Sequence, residues 1–547
     1  MHPEDLQSHH WYERMLNWIS LVKPGEGKSC LLLAGNASII MTAYYLLKVI
    51  REPLILAYGG AEYKSYATAF QAGLLIIVVP LFSLLYHRFA DNEIRSTIIN
   101  RVMLFFISNL MIFAFLQYLN MNVGMAFYIW LGIFSVMVVA QFWAFAADSY
   151  NVKCGQRLFV ILAVGASFGA WFGSKLAGPV LPYIGIYGIM ALATVLLLVS
   201  VYLTHKTNGT IPMFAANTEP LHHDENSNKW LDGFSVVFKS NYLMMIAIFV
   251  VVLVFINSTG EYILARMVDE HSKSLLAEAS INNIKDWQGQ FYSSYYSWIT
   301  LGSFLLQLFV VSRIFKWVGI KGAVLILPII MIVGYGLMLF FPIFSLIRLA
   351  MTAENSANYS VQNTTRHALF LPVPRKLKYL GKTTIETFFY RFGDLLYGIF
   401  IFVGTQVYDL GISVFLLSNL ILAFGLFILG WKIGHYNSLE VQKSQGNSPP
   451  ELKATIPHLH MPAGELSKFS ISECTFVDPD IGDALKFHAK MESGKILPKW
   501  VKFDGISRTF SFNPPEGHTE ELAIEIVATD FEGLAVSSRM EVTIFEK

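Results

Sequence analysis

Charged residues are scarce in this sequence, and the scarcity excludes most soluble architectures. Asp, Glu, Lys and Arg make up 14% of the 547 residues against 54% hydrophobic residues, and the mean hydropathy is +0.49. Soluble domains rarely reach that value, so the composition points to a polytopic membrane protein with the lipid bilayer as its first partner. Neither sign of charge dominates. The net charge of +1 gives no basis for a nucleic-acid partner. Cysteine is rarer still: Cys30, Cys154 and Cys474 lie too far apart for a disulfide or metal framework. No nucleophile, base and orienting group recur at catalytic spacing, so an enzyme, a metal site and a cofactor are not expected. Residues 1–29 have acidic residues and no apolar core followed by a small-residue cleavage site. They read as a cytoplasmic amphipathic lead-in and not as a secretory signal or transit peptide.

What is abundant is apolar runs of spanning length, about 20 residues each. Six fall within residues 30–204, at 30–50, 66–86, 102–119, 123–147, 158–178 and 184–204. A polar segment, 205–242, is followed by six more within 243–433, at 243–264, 291–312, 321–341, 343–365, 383–405 and 412–433. Basic residues collect in alternate connections, such as Arg88, Arg95 and Arg101, then Lys153 and Arg157, then Arg366, Arg375, Lys376 and Lys378. The connections between them carry none, so the spacing predicts about twelve transmembrane helices with both termini cytoplasmic. The inner membrane of a bacterium is the expected location.

The halves also echo each other. SYNVKCGQR (149–157) and NYSVQNTTR (358–366) share Tyr, Val and Arg in register, each at the end of the fourth run of its half. Such internal similarity predicts two six-helix repeats, the plan of the major facilitator fold. Asp91 and Arg95 also resemble that superfamily's D-x-x-x-R signature between its second and third spans.

Composition changes after about residue 434. A polar, Pro-bearing linker (434–464) leads to short alternating runs such as FSISECTFV, RTFSFNP and LAIEIVATD, which predict a small all-β sandwich over 465–547. Phe476, the DPDIGD run (478–483), Leu497-Pro498-Lys499-Trp500 and Ala528-Thr529-Asp530 resemble a dystroglycan-type cadherin-like domain. That resemblance implies a protein or glycan partner. Asp478, Asp480, Asp483 and Asp530 read as turn caps in preference to calcium ligands.

Charges inside the runs are the candidate functional residues, because an ionised side chain near the bilayer centre costs about 2.5–3.5 kcal/mol on insertion scales. Tyr44, Lys48 and Arg51 stand at i, i+4 and i+7 of one helix, so an aromatic ring and two cations share a stripe. Like charges on one face call for a bound anion or a carboxylate, with Glu52 at i+4 of Lys48 as the structural alternative. Tyr44 and Tyr45 serve either to stack on a planar group or to pack the core. Lys382 with Glu386 (i, i+4) and Arg391 with Asp394 (i, i+3) have the spacing of internal ion pairs. Asp148, Arg157, Glu354 and Arg366, together with Asp394, complete the set as gating or coupling groups. Gly165, Gly169 and Gly173 form a small-residue stripe that predicts close helix packing. GEGKS (25–29) ends like a phosphate-binding loop but has no preceding strand and no first glycine, so ATP hydrolysis is not expected.

Over residues 20–430 the sequence resembles the ATP/ADP translocase family of nucleotide transporters. The resemblance rests on TAYYLLKVIREPL with GGAE (59–62), on Phe142-Trp143-Ala144-Phe145-Ala146, on FYSSYYSWITLGSF, and on Gly381-Lys382-Thr383-Thr384-Ile385-Glu386. It implies a secondary transporter that exchanges or imports a nucleotide, with Lys48, Arg51, Lys382 and Glu386 on its phosphates and Tyr44 and Arg391 nearby. The sequence departs from the family at Arg366-His367 and Gly393-Asp394. Carriage of a non-nucleotide small molecule, or a scaffold role exercised through the β-domain, stand as alternatives.

Overall fold

The computed structural model describes residues 11–23, 25–90, 95–150, 152–208, 210, 230–445, 449–478, 485–530 and 533–546. The chain divides into two compact units, Met1–Asn437 and Ser438–Lys547.

The first unit is helical. After a short α1 (Trp11–Leu16), the helix Gly27–Ala90 is bent at Gly59 and Gly60 into α2 (27–58) and α3 (61–90). Gly60 has φ 79°, a left-handed conformation that a side chain disfavours, so glycine is what permits the reversal. α4 (Arg95–Tyr118) and α5 (Gly124–Ser149) follow. A break of the same kind at Gly185, φ 70°, divides Val152–Asn208 into α6 (152–184) and α7 (186–208). The second half holds α8 (Trp230–Lys239), α9 (Asn241–Ala277), α10 (Ile284–Phe309) and α11 (Val311–Phe340). α12 (344–369) and α13 (375–407) both contain π-helical turns, at Asn358–Gln362, Ile385–Phe389 and Val403–Val407. α14 (Ile412–Gln445) completes the unit.

Leaving aside α1 and α8, the described residues thus contain the twelve long helices expected, α2–α7 and α9–α14. Among the described residues, eight helical stretches are long and apolar enough to cross a membrane, and two of them, Gly27–Leu81 and Arg157–Thr207, each hold two of the twelve long helices. Large apolar side chains such as Phe105, Phe115, Val333 and Ile421 stand exposed on these helices. Helices apolar on all sides are built for a lipid surround, so this is a multi-pass membrane protein. α10 and α12 are more polar, and their polar residues turn inward to the site described below.

The small-residue stripe packs as its spacing predicts. A Cβ on Gly165, Gly169 or Gly173 would lie 2.5, 2.1 or 2.5 Å from the carbonyl oxygens of Ala34, Ser38 and Thr42. α6 therefore rests on the backbone of α2, the helix that carries Lys48 and Arg51. Behind it, Asn36 is fully buried between α2 and α7, donating to Thr204 Oγ1 (2.9 Å) and accepting from Ser200 Oγ (2.6 Å). Gly169→Val is expected to cost at least about 1–3 kcal/mol, since backbone and not a flexible side chain is in the way. Loss of the monodisperse peak in detergent chromatography would register it, whereas a wild-type profile would contradict this packing.

The second unit is a β-domain of two main sheets and a short two-stranded one. One sheet has the order β2 (Leu459–Pro462), β9 (Ala535–Phe545), β8 (Glu520–Thr529), β5 (Lys486–Met491). The other has β3 (Ser467–Ser470), β7 (Thr509–Phe512), β6 (Val501–Asp504), and β1 (Glu451–Leu452) pairs with β4 (Phe476–Val477). Leu522, Ile524, Ile526 and Ala528 alternate inward along β8 and meet Phe510 and Phe512 of β7 in one core. β1 and β2 fall within the stretch that composition reads as linker. Asp530 caps its turn by accepting from the amides of Gly533 (2.6 Å) and Leu534 (2.8 Å). Asp480 and Asp483 lie outside the described residues, among which no group of three His, Cys, Asp or Glu residues is placed to hold a metal.

Candidate functional site

α2 runs through the middle of the helical unit and presents Lys48 and Arg51 to a chamber between the two six-helix sets. Lys48 Nζ sits over three tyrosine rings, 4.4 Å from the centre of Tyr296, 5.2 Å from Tyr45 and 5.8 Å from Tyr359. Ring faces stabilise a cation without neutralising it. No carboxylate lies within ion-pair distance of Lys48 among the described residues. The Arg51 guanidinium lies 4.2 Å from the Tyr128 ring centre, and its Nε donates to Glu52 Oε1 at 3.2 Å. Glu52 is fully buried; it also accepts from the Tyr296 hydroxyl (2.9 Å), and its Oε2 is 2.8 Å from Lys64 Nζ.

Lys64 joins the two halves. Besides Glu52 it faces Glu261 Oε2 of α9 at 3.6 Å. Glu261 in turn accepts from Asn355 Nδ2 (3.0 Å) and the Tyr295 hydroxyl (2.9 Å). Asn257 Nδ2 donates to Glu354 Oε1 (3.2 Å) and to Asn355 Oδ1 (3.4 Å). Arg51, Glu52, Lys64, Glu261, Asn355, Asn257 and Glu354 thus form one connected polar chain.

The chamber has a volume of about 120 Å³, with Lys48, Arg51, Lys64, Tyr128, Glu261 and Tyr397 among its walls. A second cavity of about 310 Å³ adjoins it and shares Tyr359. Its walls are mostly apolar, including Tyr45, Phe142, Trp143 and Ala166, and it lies one to three turns along α2 toward residue 27. At the Gly59–Gly60 end the halves are closed on each other: the Tyr262 hydroxyl donates to Glu62 (3.1 Å), Ser65 and Tyr397 share a hydrogen bond (2.6 Å), and Tyr66 faces Thr405 (3.4 Å).

The structure gathers some of the residues singled out by sequence and separates others. Lys48 and Arg51 line the chamber. Tyr44 does not; it packs edge-on against Tyr45, ring centres 5.3 Å apart. The Lys382–Glu386 pair expected from the i, i+4 spacing is not formed. Glu386 Oε1 faces His367 Nδ1 of α12 at 3.2 Å, and neither residue lines the chamber. A π turn starting at Ile385 separates the two and rotates Glu386 away. Glu52 as the partner of Lys48 is likewise corrected, since it binds Arg51 and Lys64. Arg391 and Asp394 do pair, at 3.5 Å, and Ser258 donates to Asp394 (2.9 Å). Arg157 is tied to Glu26 (2.9 Å) and to the Leu21 carbonyl (2.6 Å), and Arg366 donates to Asn363 (3.0 Å). Asp148 is in the last turn of α5, its side chain outside the described set.

Sequence reasoning missed Lys64 and gave no role to Glu261. Lys64 follows GGAEY (59–63) in what reads as a connection, whereas the helix restarts at residue 61 and carries it inward. The available signal was a lysine within one turn of an apolar run.

No protein-family model matches the sequence. ADP,ATP carrier protein 1 of Chlamydia pneumoniae is 23% identical over 299 residues, covering 47% of this chain and 56% of that protein. The chain therefore spans a little over half the length of this relative. Among solved structures, nucleoside transporter NupG superposes with TM-score 0.57 at 13% identity, covering 74% of this chain and 99% of that one. An auto-inhibited peptide transporter of the POT family superposes with TM-score 0.51 at 10% identity, covering 75% and 97%. At such identities the superpositions establish architecture alone, and the helical unit has the twelve-helix fold of these transporters.

Proposed function

We propose that this chain is a secondary transporter that carries a nucleotide, of ATP or ADP type, or a related phosphorylated anion across its membrane by alternating access. The observation that carries the reading is the chamber's charge. Among the described residues, Lys48, Arg51 and Lys64 face Glu52 and Glu261 as opposing carboxylates, which leaves one positive charge in excess, at Lys48. A phosphate group supplies the missing negative charge. The adjoining cavity offers Tyr45, Trp143 and Tyr359 to a planar base. The ADP,ATP carrier relative supports the nucleotide. Closure at the Gly59–Gly60 end, with a cavity on the other side of the chamber, fits one state of a rocking cycle. Arg157, Arg366 and the Arg391–Asp394 pair are bonded within their own halves and keep each half rigid as it moves. The charged connections support a topology with both termini on the cytoplasmic side of a bacterial inner membrane and with 205–242 linking the halves. The β-domain binds a protein or glycan partner and takes no part in transport.

Counterflow in proteoliposomes tests this. ATP and ADP are expected to exchange while amino acids do not, and a protein lacking residues 446–547 is expected to exchange at the wild-type rate. Exchange of amino acids but no nucleotide would overturn the substrate. Loss of exchange on truncation would favour a function exercised through the β-domain.

A further inference from the structure

Among the described residues, the carboxylates at and next to the chamber are matched to cations with one exception. Glu52 has Arg51 and Lys64, Glu261 has Lys64, and Asp394 has Arg391. Glu354, on α12, is 2% exposed and has no cation within ion-pair distance among the described residues. The groups facing it are the Asn257 amide of α9 at 3.2 Å, the Tyr335 hydroxyl of α11, and Glu261, a like charge, one turn along α9 from Asn257. Tyr295 of α10 and Asn419 of α14 complete the surroundings; Tyr295 bonds to Glu261, and Asn419 to the Ile256 carbonyl. Keeping an ionised carboxylate away from water is costly unless a cation pairs with it, and here the neighbours are hydrogen-bonding groups and a second carboxylate. Glu354 does not line the chamber, but Asn257 and Asn355, which do, connect it to Glu261 and so to Lys64.

We infer that Glu354 is a proton-binding site and that its loading couples substrate movement to a proton gradient. The inference rests on the transport reading above. In the closed arrangement the proton resides on the carboxyl. When the halves part and water reaches the α9–α12 contact, the proton leaves to that water, and the new negative charge on Glu354 adds to the field of Glu261, to which Asn257 and Asn355 tether it. Lys64 is then drawn toward Glu261 and away from the substrate, so proton and anion are released on the same side. The proton is taken up from water and returned to water, and no bond of the substrate changes.

The test has two arms on the full-length protein. Infrared spectra in lipid at neutral pH are expected to show the carbonyl band of a protonated buried carboxyl that Glu354→Gln lacks. In proteoliposomes with ATP and ADP as probes, an acid-outside gradient is expected to drive about tenfold accumulation per pH unit for one coupled proton. Glu354→Gln is expected to keep the wild-type thermal unfolding transition in detergent, which shows that it is folded, and to lose this response. Absence of the band overturns the proposal. So does counterflow in the wild type without any response to pH, a sodium gradient that serves in place of protons, or a Glu354→Gln protein that still responds. A band without counterflow for either probe overturns the transport reading, and the coupling falls with it while the protonated site stands.

Discussion

Glu52→Ala is expected to abolish transport and to give the largest loss of stability of any single charge removal in the helical unit. Glu52 is fully buried and holds two cations, Arg51 of its own helix and Lys64 at 2.8 Å on the next. It also accepts a hydrogen bond from Tyr296 across the boundary between the halves. Breaking a buried ion pair from one side costs about 3–5 kcal/mol, mostly because the surviving charge is left without compensation. Here two charges survive, although Glu261 at 3.6 Å offers Lys64 a partial substitute. Adding Lys64→Met to Glu52→Ala removes one of the stranded cations and is expected to restore part of the lost thermal stability without restoring transport. Thermal unfolding in detergent of the two single variants and the double variant gives the coupling directly. A Glu52→Ala protein with wild-type stability would show that the cluster is not closed in the membrane.

That cluster also marks how far the sequence alone reaches. Apolar runs near 20 residues and their basic connections disclose the helices, because length and hydropathy are local properties. The glycine stripe discloses that α6 packs closely on a neighbour, since residues 165, 169 and 173 lie on one face whatever the helix meets, but not that the neighbour is α2. Arg391–Asp394 is legible for the same reason. Lys382–Glu386 has equally good spacing and fails, because the spacing rule presumes a regular helix and a π turn begins between them. Lys64–Glu52 and Lys64–Glu261 bridge separate helices, one pair across the Gly59–Gly60 reversal and the other between halves. Nothing local encodes either. The β-strands show through their alternation, while the start of the β-domain at Glu451 does not, because β1 has two residues and β2 pairs in parallel with the distant β9.

Lys48→Gln is expected to have the opposite profile from Glu52→Ala, with stability unchanged and substrate affinity lost. Lys48 has no carboxylate partner among the described residues, so its removal strands no charge; its ammonium rests 4.4 Å from the Tyr296 ring centre. A cation–ring contact of this kind is worth about 0.5–2 kcal/mol and is partly retained by a neutral amide. A hydrogen bond to a charged group is worth about 1.5–3 kcal/mol, so loss of the contact to an anionic substrate should raise the apparent KM by about tenfold to a hundredfold. Arg51→Gln serves as the contrast. It removes one partner of Glu52 and leaves Lys64 in place, so it is expected to lower both stability and uptake. Lys48→Arg keeps the charge but replaces a compact ammonium with a planar fork in a cage of three rings, and is expected to recover binding only in part. Nucleotide uptake in proteoliposomes, read as KM against maximal rate beside a thermal unfolding curve, separates these cases. A Lys48→Gln protein with wild-type KM would remove this cation from the substrate site and leave the anion to Arg51 and Lys64, the other cations among the described chamber residues, both already paired.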